Sequence, residues 1–289
     1  MANSATLESA GASAGAIQHH YDLSNDFYAL WLDESRTYSA ALWKDGDTLE
    51  QAQVRKLDYH ARNCGARSGG DYLDVGCGWG STLFRLTESY GARSATGLTL
   101  SEAQARFIEQ QGRDGVSVLL KGWQDFRPER PFDGIISIGA FEHFAKPDLS
   151  DSEMVDAYRA FFLKCHEWLN HGCSLSLQTI AYGRAERADI NRFVLEEIFP
   201  ESDLPSLMQI IAASKGLFEV VSLRNDRTHY ADTFRHWSRR LTARCDQAVA
   251  LVGAEKVKTY QKYQGLFTIG FHTGAMDLYR IHLRKIHVT

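Results

Sequence analysis

The sequence lacks several features that would each have fixed a class of protein. Nowhere do about eighteen apolar residues run together, so no membrane-spanning helix is expected. The opening stretch MANSATLESAGASAGA has neither the basic start nor the apolar run of a secretory leader, and positions 1–15 read as a mobile tail on a cytoplasmic protein. The five cysteines (Cys64, Cys77, Cys165, Cys173 and Cys245) are odd in number and include no C-x-x-C pair. That argues against disulfides or zinc and leaves buried thiols. No metal is expected, because the adjacent His19 and His20 project in different directions from a helix. A net charge of -4 gives no hint of nucleic-acid binding. No internal repeat or linker stands out, and 44% hydrophobic content suffices for a full core.

What is present centres on Tyr72-Leu-Asp-Val-Gly-Cys-Gly-Trp-Gly80. It reads as a buried strand breaking into a glycine loop and opening a helix with Leu83, Leu86 and Tyr90 on one face. Without Cβ atoms, Gly76, Gly78 and Gly80 let a ligand approach main-chain N–H groups at a helix N-terminus. A dinucleotide site wants a different glycine spacing and an acid after the second strand. Here the stretch from about Arg93 to Gly97 runs into Leu98-Thr99-Leu100-Ser101, with no acid. The spacing D-x-G-x-G-x-G from Asp74 instead fits S-adenosylmethionine.

Along the rest of the chain, Tyr21, Phe27, Tyr28, Leu30 and Trp31 give the N-terminus a helical rhythm. This helix either packs on the core or caps a site, its own or a neighbour's in a homo-oligomer. Val54, Leu57, Ala61 and Cys64 predict a second amphipathic helix, and Ser101 with Gln104 a capping box. Strands are expected at 116–120, 132–138, 175–180 and 217–223, and as a closing pair at 266–271 and 276–283. Asp151–Asn170, about 189–215 and 229–265 read as helical. Glu142 follows a strand end between Phe141 and Phe144, where desolvation raises a carboxyl pKa and suits it to accepting a proton. An arbitrary Glu would more often be a solvated loop carboxylate.

Six strings taken together, H-Y-D-L-S-N-D-F-Y, T-Y-S, L-D-V-G-C-G-W-G, G-L-T-L-S-x-x-Q, G-W-Q-D-F and G-A-F-E-H-F, resemble the cyclopropane-fatty-acid synthase and mycolic-acid methyltransferase family over nearly the whole chain. The resemblance implies an α/β class I methyltransferase fold: a Rossmann-like, mostly parallel seven-stranded sheet with helices on both faces. An N-terminal helical cap is expected over 16–64. The methyltransferase domain is expected over 65–289, with acceptor-binding helical insertions at about 185–215 and 229–265. It also implies S-adenosyl-L-methionine as cofactor, held by Tyr38, Ser39, Asp74, Gly76, Gly78, Gly80, Thr99, Leu100, Gln104, Trp123, Gln124 and Ala140. In the family, residues matching Ala40, Glu142, Gln178 and Tyr230 surround a bicarbonate base. Here Ala40 replaces the usual Cys and Gln178 the usual His, whereas Glu142 and Tyr230 are kept.

With that set altered, the expected activity is C-methylation of an alkene in a small hydrophobic acceptor, an isoprenoid or other specialised metabolite. The reaction runs through a carbocation to proton loss or rearrangement. Glu142, Tyr230, Gln178 and Tyr21, the last as a lid, are the candidate catalytic residues. The alternatives are a cyclopropane synthase of unsaturated fatty acyl lipids, a small-molecule N-methyltransferase, or a protein that binds the cofactor without turnover.

Overall fold

Short apolar runs alternating with amphipathic stretches resolve, in the computed structural model, into one seven-stranded sheet covered by helices. The structure describes residues 13, 24–189, 193, 198 and 202–286. The tail at 1–15, apart from Ser13, lies outside the described residues, as do Tyr21 and most of 190–201.

The strands are β1 (Asp71–Val75), β2 (Ser94–Thr99), β3 (Val116–Leu120), β4 (Phe132–Ile138), β5 (Leu169–Tyr182), β6 (Phe218–Asn225) and β7 (Met276–Lys285), in the order β3-β2-β1-β4-β5-β7-β6. β1 to β5 pair in parallel, and β7 runs antiparallel to both β5 and β6. All five residues of β1 are buried, as expected of a strand covered on both faces. Strand order reverses between β1 and β4, and at such a point the loops after the two strands diverge and leave a crevice.

The described α-helices are α1 (Asn25–Ala29), α2 (Leu49–Asn63), α3 (Ser81–Tyr90), α4 (Glu102–Gln111), α5 (Asp151–Trp168), α6 (Leu207–Ser214), α7 (Arg227–Ala243), α8 (Cys245–Val252) and α9 (Ala254–Thr273). One core joins the sheet to α5 and α6 through Phe141, Tyr158, Phe161 and Phe162. A second joins the sheet to α2, α3 and α4 through Ala61, Leu83, Leu86 and Ile108. A third is rich in aromatic rings, packing Phe27, Tyr28 and Trp31 against Phe234, Trp237, Tyr260 and Phe267. It clamps the N-terminal segment onto the α7–α9 insertion, which lies between β6 and β7.

Three expectations are corrected. Residues 266–271 belong to α9 and form no strand, because Val257, Tyr260, Tyr263, Gln264, Phe267 and Phe271 make a buried helical face that overrides local β propensity. The N-terminal helix is short: after Ala29 the chain turns, and Asp33 accepts the amides of Ser35 (3.0 Å) and Thr37 (2.9 Å), a local pattern that competes with helix. The Ser101 capping box is only half formed. Ser101 accepts the Gln104 amide, but the Gln104 side chain accepts instead from Thr99 Oγ1 at 2.8 Å.

The least expected core residue is Arg280 on β7, which is fully buried. Its guanidinium forms an ion pair with Asp226, donates to Gln178 Oε1 at 2.9 Å and reaches the carbonyls of Ala40 and Ala41, both at 3.0 Å. One side chain thereby ties together β5, β7, the start of α7 and the N-terminal segment. Removing Arg280 leaves Asp226 to Arg224 (2.9 and 3.0 Å) and strips the Ala40 and Ala41 carbonyls and Gln178 Oε1 of a buried charged donor. Arg280→Met is therefore expected to cost about 3–5 kcal/mol of unfolding free energy by denaturant titration. Arg284→Met, which removes an exposed pair with Glu219, should leave the midpoint almost unchanged.

Candidate active site

Two adjoining cavities open beyond the carboxyl ends of the parallel strands. The larger has about 1030 Å³ of empty volume, open mouth included, and crosses the ends of β1 to β4. Tyr38, Ser39, Asp74, Gly76, Gly78, Thr99, Leu100, Gln104, Trp123, Gln124 and Ala140 all line it. Of the expected cofactor residues only Gly80 does not. It sits behind the loop as the N-cap of α3 with φ 84°, where an added Cβ would lie 2.9 Å from Ile108. At Gly76 (φ 82°) a Cβ would come within 2.5 Å of the Ala140 Cβ, so the β1 and β4 loops approach each other only because this residue is glycine.

The cleft suits a zwitterionic nucleoside. Asp74, at the end of β1, is 2% exposed, and its Oδ1 has no hydrogen-bond partner. Burial pushes its carboxyl up to about 7 against the opposing pull of the Thr82 hydroxyl and Lys56. Across the cleft, Trp123 packs on Phe144 and Phe161, offering an aromatic wall beside Gln124.

The second cavity, about 810 Å³, is lined by Glu142, Gln178, Tyr230, Tyr263, Phe267, Met276 and Leu278 among others. Three of the four expected catalytic residues meet there, and the fourth, Tyr21, lies outside the described residues. Glu142 Oε1 accepts the Ile180 amide at 2.6 Å, whereas the buried Oε2 has no partner. Burial raises this carboxyl to about 7, partly offset by the hydrogen bond from the Ile180 amide and by the neighbouring Thr179 hydroxyl, which itself donates to the Ile180 carbonyl. His143 Nδ1 lies 2.7 Å from Ser202 Oγ, and burial pushes the imidazole down to about 4, so it is neutral at pH 7. Tyr230 packs on Phe234 and Phe271 with ring centroids 4.7 and 4.6 Å away. Gln178 Oε1 is taken by Arg280 and is 3.4 Å from His60 Nε2, so the amide nitrogen is left as its polar group toward the cavity.

Tyr38, Ser39, Gly139 and His143 belong to both cavities. The segment carrying the first two is held at its backbone. Gln53 donates to the carbonyls of Thr37 (3.1 Å) and Ser39 (2.9 Å), and Thr233 accepts the Ala41 amide at 3.0 Å. Arg36 adopts φ 55° there and lays its guanidinium 4.4 Å from the Phe107 ring centroid, pinning the strap to α4. Gln53, Lys56, His60, Arg280 and Asp226, which support these walls, were missed in the sequence. For Gln53, Lys56, His60 and Arg280 the signal was placement on faces otherwise made of core residues, whereas Asp226, just before α7, gave none.

A glycine-loop cleft at the reversal point of a seven-stranded sheet, with β7 antiparallel, defines a class I S-adenosylmethionine-dependent methyltransferase. The pattern of the family described as mycolic acid cyclopropane synthetase matches residues 9–281. Cyclopropane mycolic acid synthase 1 of Mycobacterium tuberculosis is 36% identical over 285 residues, with 92% of each chain covered. A probable fatty acid methyltransferase of Pseudomonas putida is 34% identical over 93% of this chain and 68% of its own. The crystal structure of mycolic acid cyclopropane synthase CmaA1 complexed with SAH (S-adenosylhomocysteine) and CTAB superposes with a TM-score of 0.86 at 35% identity, covering 95% of this chain and 99% of the other. The chain belongs to the mycolic acid cyclopropane synthetase family. Its cofactor is S-adenosylmethionine.

Gly76→Ala adds a methyl group at a positive φ and against Ala140. Affinity for S-adenosylhomocysteine, measured by calorimetry, is expected to fall about tenfold or more, the equivalent of about 1.4 kcal/mol.

Proposed function

We propose that the protein methylates a carbon–carbon double bond in an unsaturated fatty acyl chain and closes the product to a cyclopropane. The observation that carries this reading is Glu142, a buried carboxylate with one oxygen fixed by a backbone amide and the other unpartnered, in the wall of an aromatic cavity that adjoins the donor cleft. The relatives named for mycolic acids and fatty acids support a long acyl acceptor over the small isoprenoid or specialised metabolite expected from the altered residues alone.

When bound, S-adenosylmethionine supplies an electrophilic methyl group, which the alkene π electrons take as the S–CH3 bond breaks, leaving a cation on the neighbouring carbon. Tyr38 and Ser39, in the wall common to both cavities, hold the acceptor and the donor in line. The rings of Tyr230, Tyr263 and Phe267 steady the cation and keep water from it. Glu142 then removes a proton from the newly attached methyl group, and the C–H electron pair closes the three-membered ring. A second reading, in which the proton leaves the adjacent chain carbon and gives a methylated alkene, is supported by Gln178. It presents an amide donor, with its oxygen held by Arg280, and can take no proton.

With labelled donor and vesicles of unsaturated phospholipid, mass spectrometry should find a labelled cyclopropane. Labelling of an isoprenyl acceptor with acyl chains untouched would overturn the proposal. Glu142→Gln should lower kcat about 10²–10⁴-fold while leaving cofactor affinity nearly unchanged. Glu142 works deprotonated and its carboxyl sits at about 7, so the wild-type rate should rise with pH through that value and level off above it. A flat profile between pH 5.5 and 8.5 (about three units spanning the transition) would remove Glu142 from that role.

A further inference from the structure

Lys56 is the least explained charge near the cleft. It sits on the buried face of α2, 1% exposed, between Gln53 and His60, and yet it lines the donor cavity. Its ammonium donates to Ser39 Oγ at 2.8 Å and forms no ion pair among the described residues. An ammonium carries three donors, and a buried one without a counter-ion is costly unless something else supplies the negative charge. Asp33 and Asp74 are near enough to favour its charge, while Arg280 and burial oppose it, and the balance pushes the amine down to about 7. Asp33 already spends both oxygens on the turn at Ser35 and Thr37.

The direction of the cleft says which end of a ligand meets this amine. Trp123, Gln124 and Lys121 follow β3 at one side of the cavity, beside Thr99 at the end of β2 and Gln104 after it. Lys56, Ser39 and Asp74 lie toward β1, where the N-terminal strap crosses. The aromatic and amide groups of the first end suit the nucleoside, its one cation, Lys121, being exposed to solvent where Lys56 is buried. The charged groups of the second suit the amino-acid tail, whose carboxylate is the only anion that the donor carries.

We propose that Lys56 is the binding residue for the donor's α-carboxylate, with Ser39 aligning the ammonium so that the tail completes the wall beneath the strap. This rests on the family's cofactor and on no particular acceptor. Lys56 therefore selects a donor that keeps its carboxylate, and couples the tail to the segment that also borders the acceptor cavity.

The discriminating pair of ligands is S-adenosylmethionine and decarboxylated S-adenosylmethionine, which lacks that one group, with calorimetric affinities for both. The wild-type chain should prefer the first by about tenfold or more. In Lys56→Met the preference should shrink to about twofold or less, through loss of affinity for the carboxylated ligand alone, and Lys56→Arg should restore much of it. Equal loss for both ligands in Lys56→Met, or no loss for either, would overturn the proposal and leave Lys56 a strut for Ser39. Equal affinity of the wild-type chain for the two ligands would overturn it without any variant, should Lys56→Met fail to fold. If the wild-type chain bound neither ligand, the proposal would fall together with the cofactor site itself. A wild-type preference that survives in Lys56→Met would reject Lys56 while leaving that site standing.

Discussion

A guanidinium removed from water beneath the sheet's antiparallel edge is the constraint on which the rest of the arrangement depends. Burying Arg280 is favourable only while its hydrogen-bonding edges are filled, and the groups that fill them come from distant parts of the chain: Asp226 before α7, Gln178 on β5 and the carbonyls of Ala40 and Ala41. Each is thereby fixed relative to β7. The N-terminal strap, which has no strand or long helix of its own, gains a defined path over the catalytic face from this contact. Gln53 and Thr233 add to it. The aromatic cluster around Trp31 and Trp237 then closes the space above the path.

Much of this was legible in the sequence wherever backbone chemistry dictates residue type. Gly76 had to be glycine to admit Ala140 beside it, and Tyr72, Leu73 and Val75, around the one acid Asp74, suit a strand in the middle of the sheet. Glu142, placed between two phenylalanines after β4, proved buried with its carboxyl pushed upward, as its surroundings implied.

What escaped was the buried polar layer. Counting only apolar positions along α2 picked Val54, which is 39% exposed, and passed over Gln53, Lys56 and His60, which face inward. Periodicity records which side of a helix turns inward and not whether the partner waiting there is polar. On β7 the sign was stronger: Leu278, Tyr279, Ile281 and Leu283 are apolar on both faces, so an arginine between them had to be buried and needed an acid. The misread stretch at 266–271 shows the converse, since its bulky residues suited a strand locally and only the helical repeat begun at Val257 decided otherwise.

The partition between the two cavities bears on how such a protein can diversify. Tyr38 and Ser39 line both compartments, so under the proposed function an exchange at either alters the seat of the donor along with that of the acceptor. Phe267, Met276 and Leu278 border the inner compartment and not the donor cleft. Drift toward new acceptors is thus cheapest on the far wall, and lineages that share one donor should differ there first while the common partition stays still.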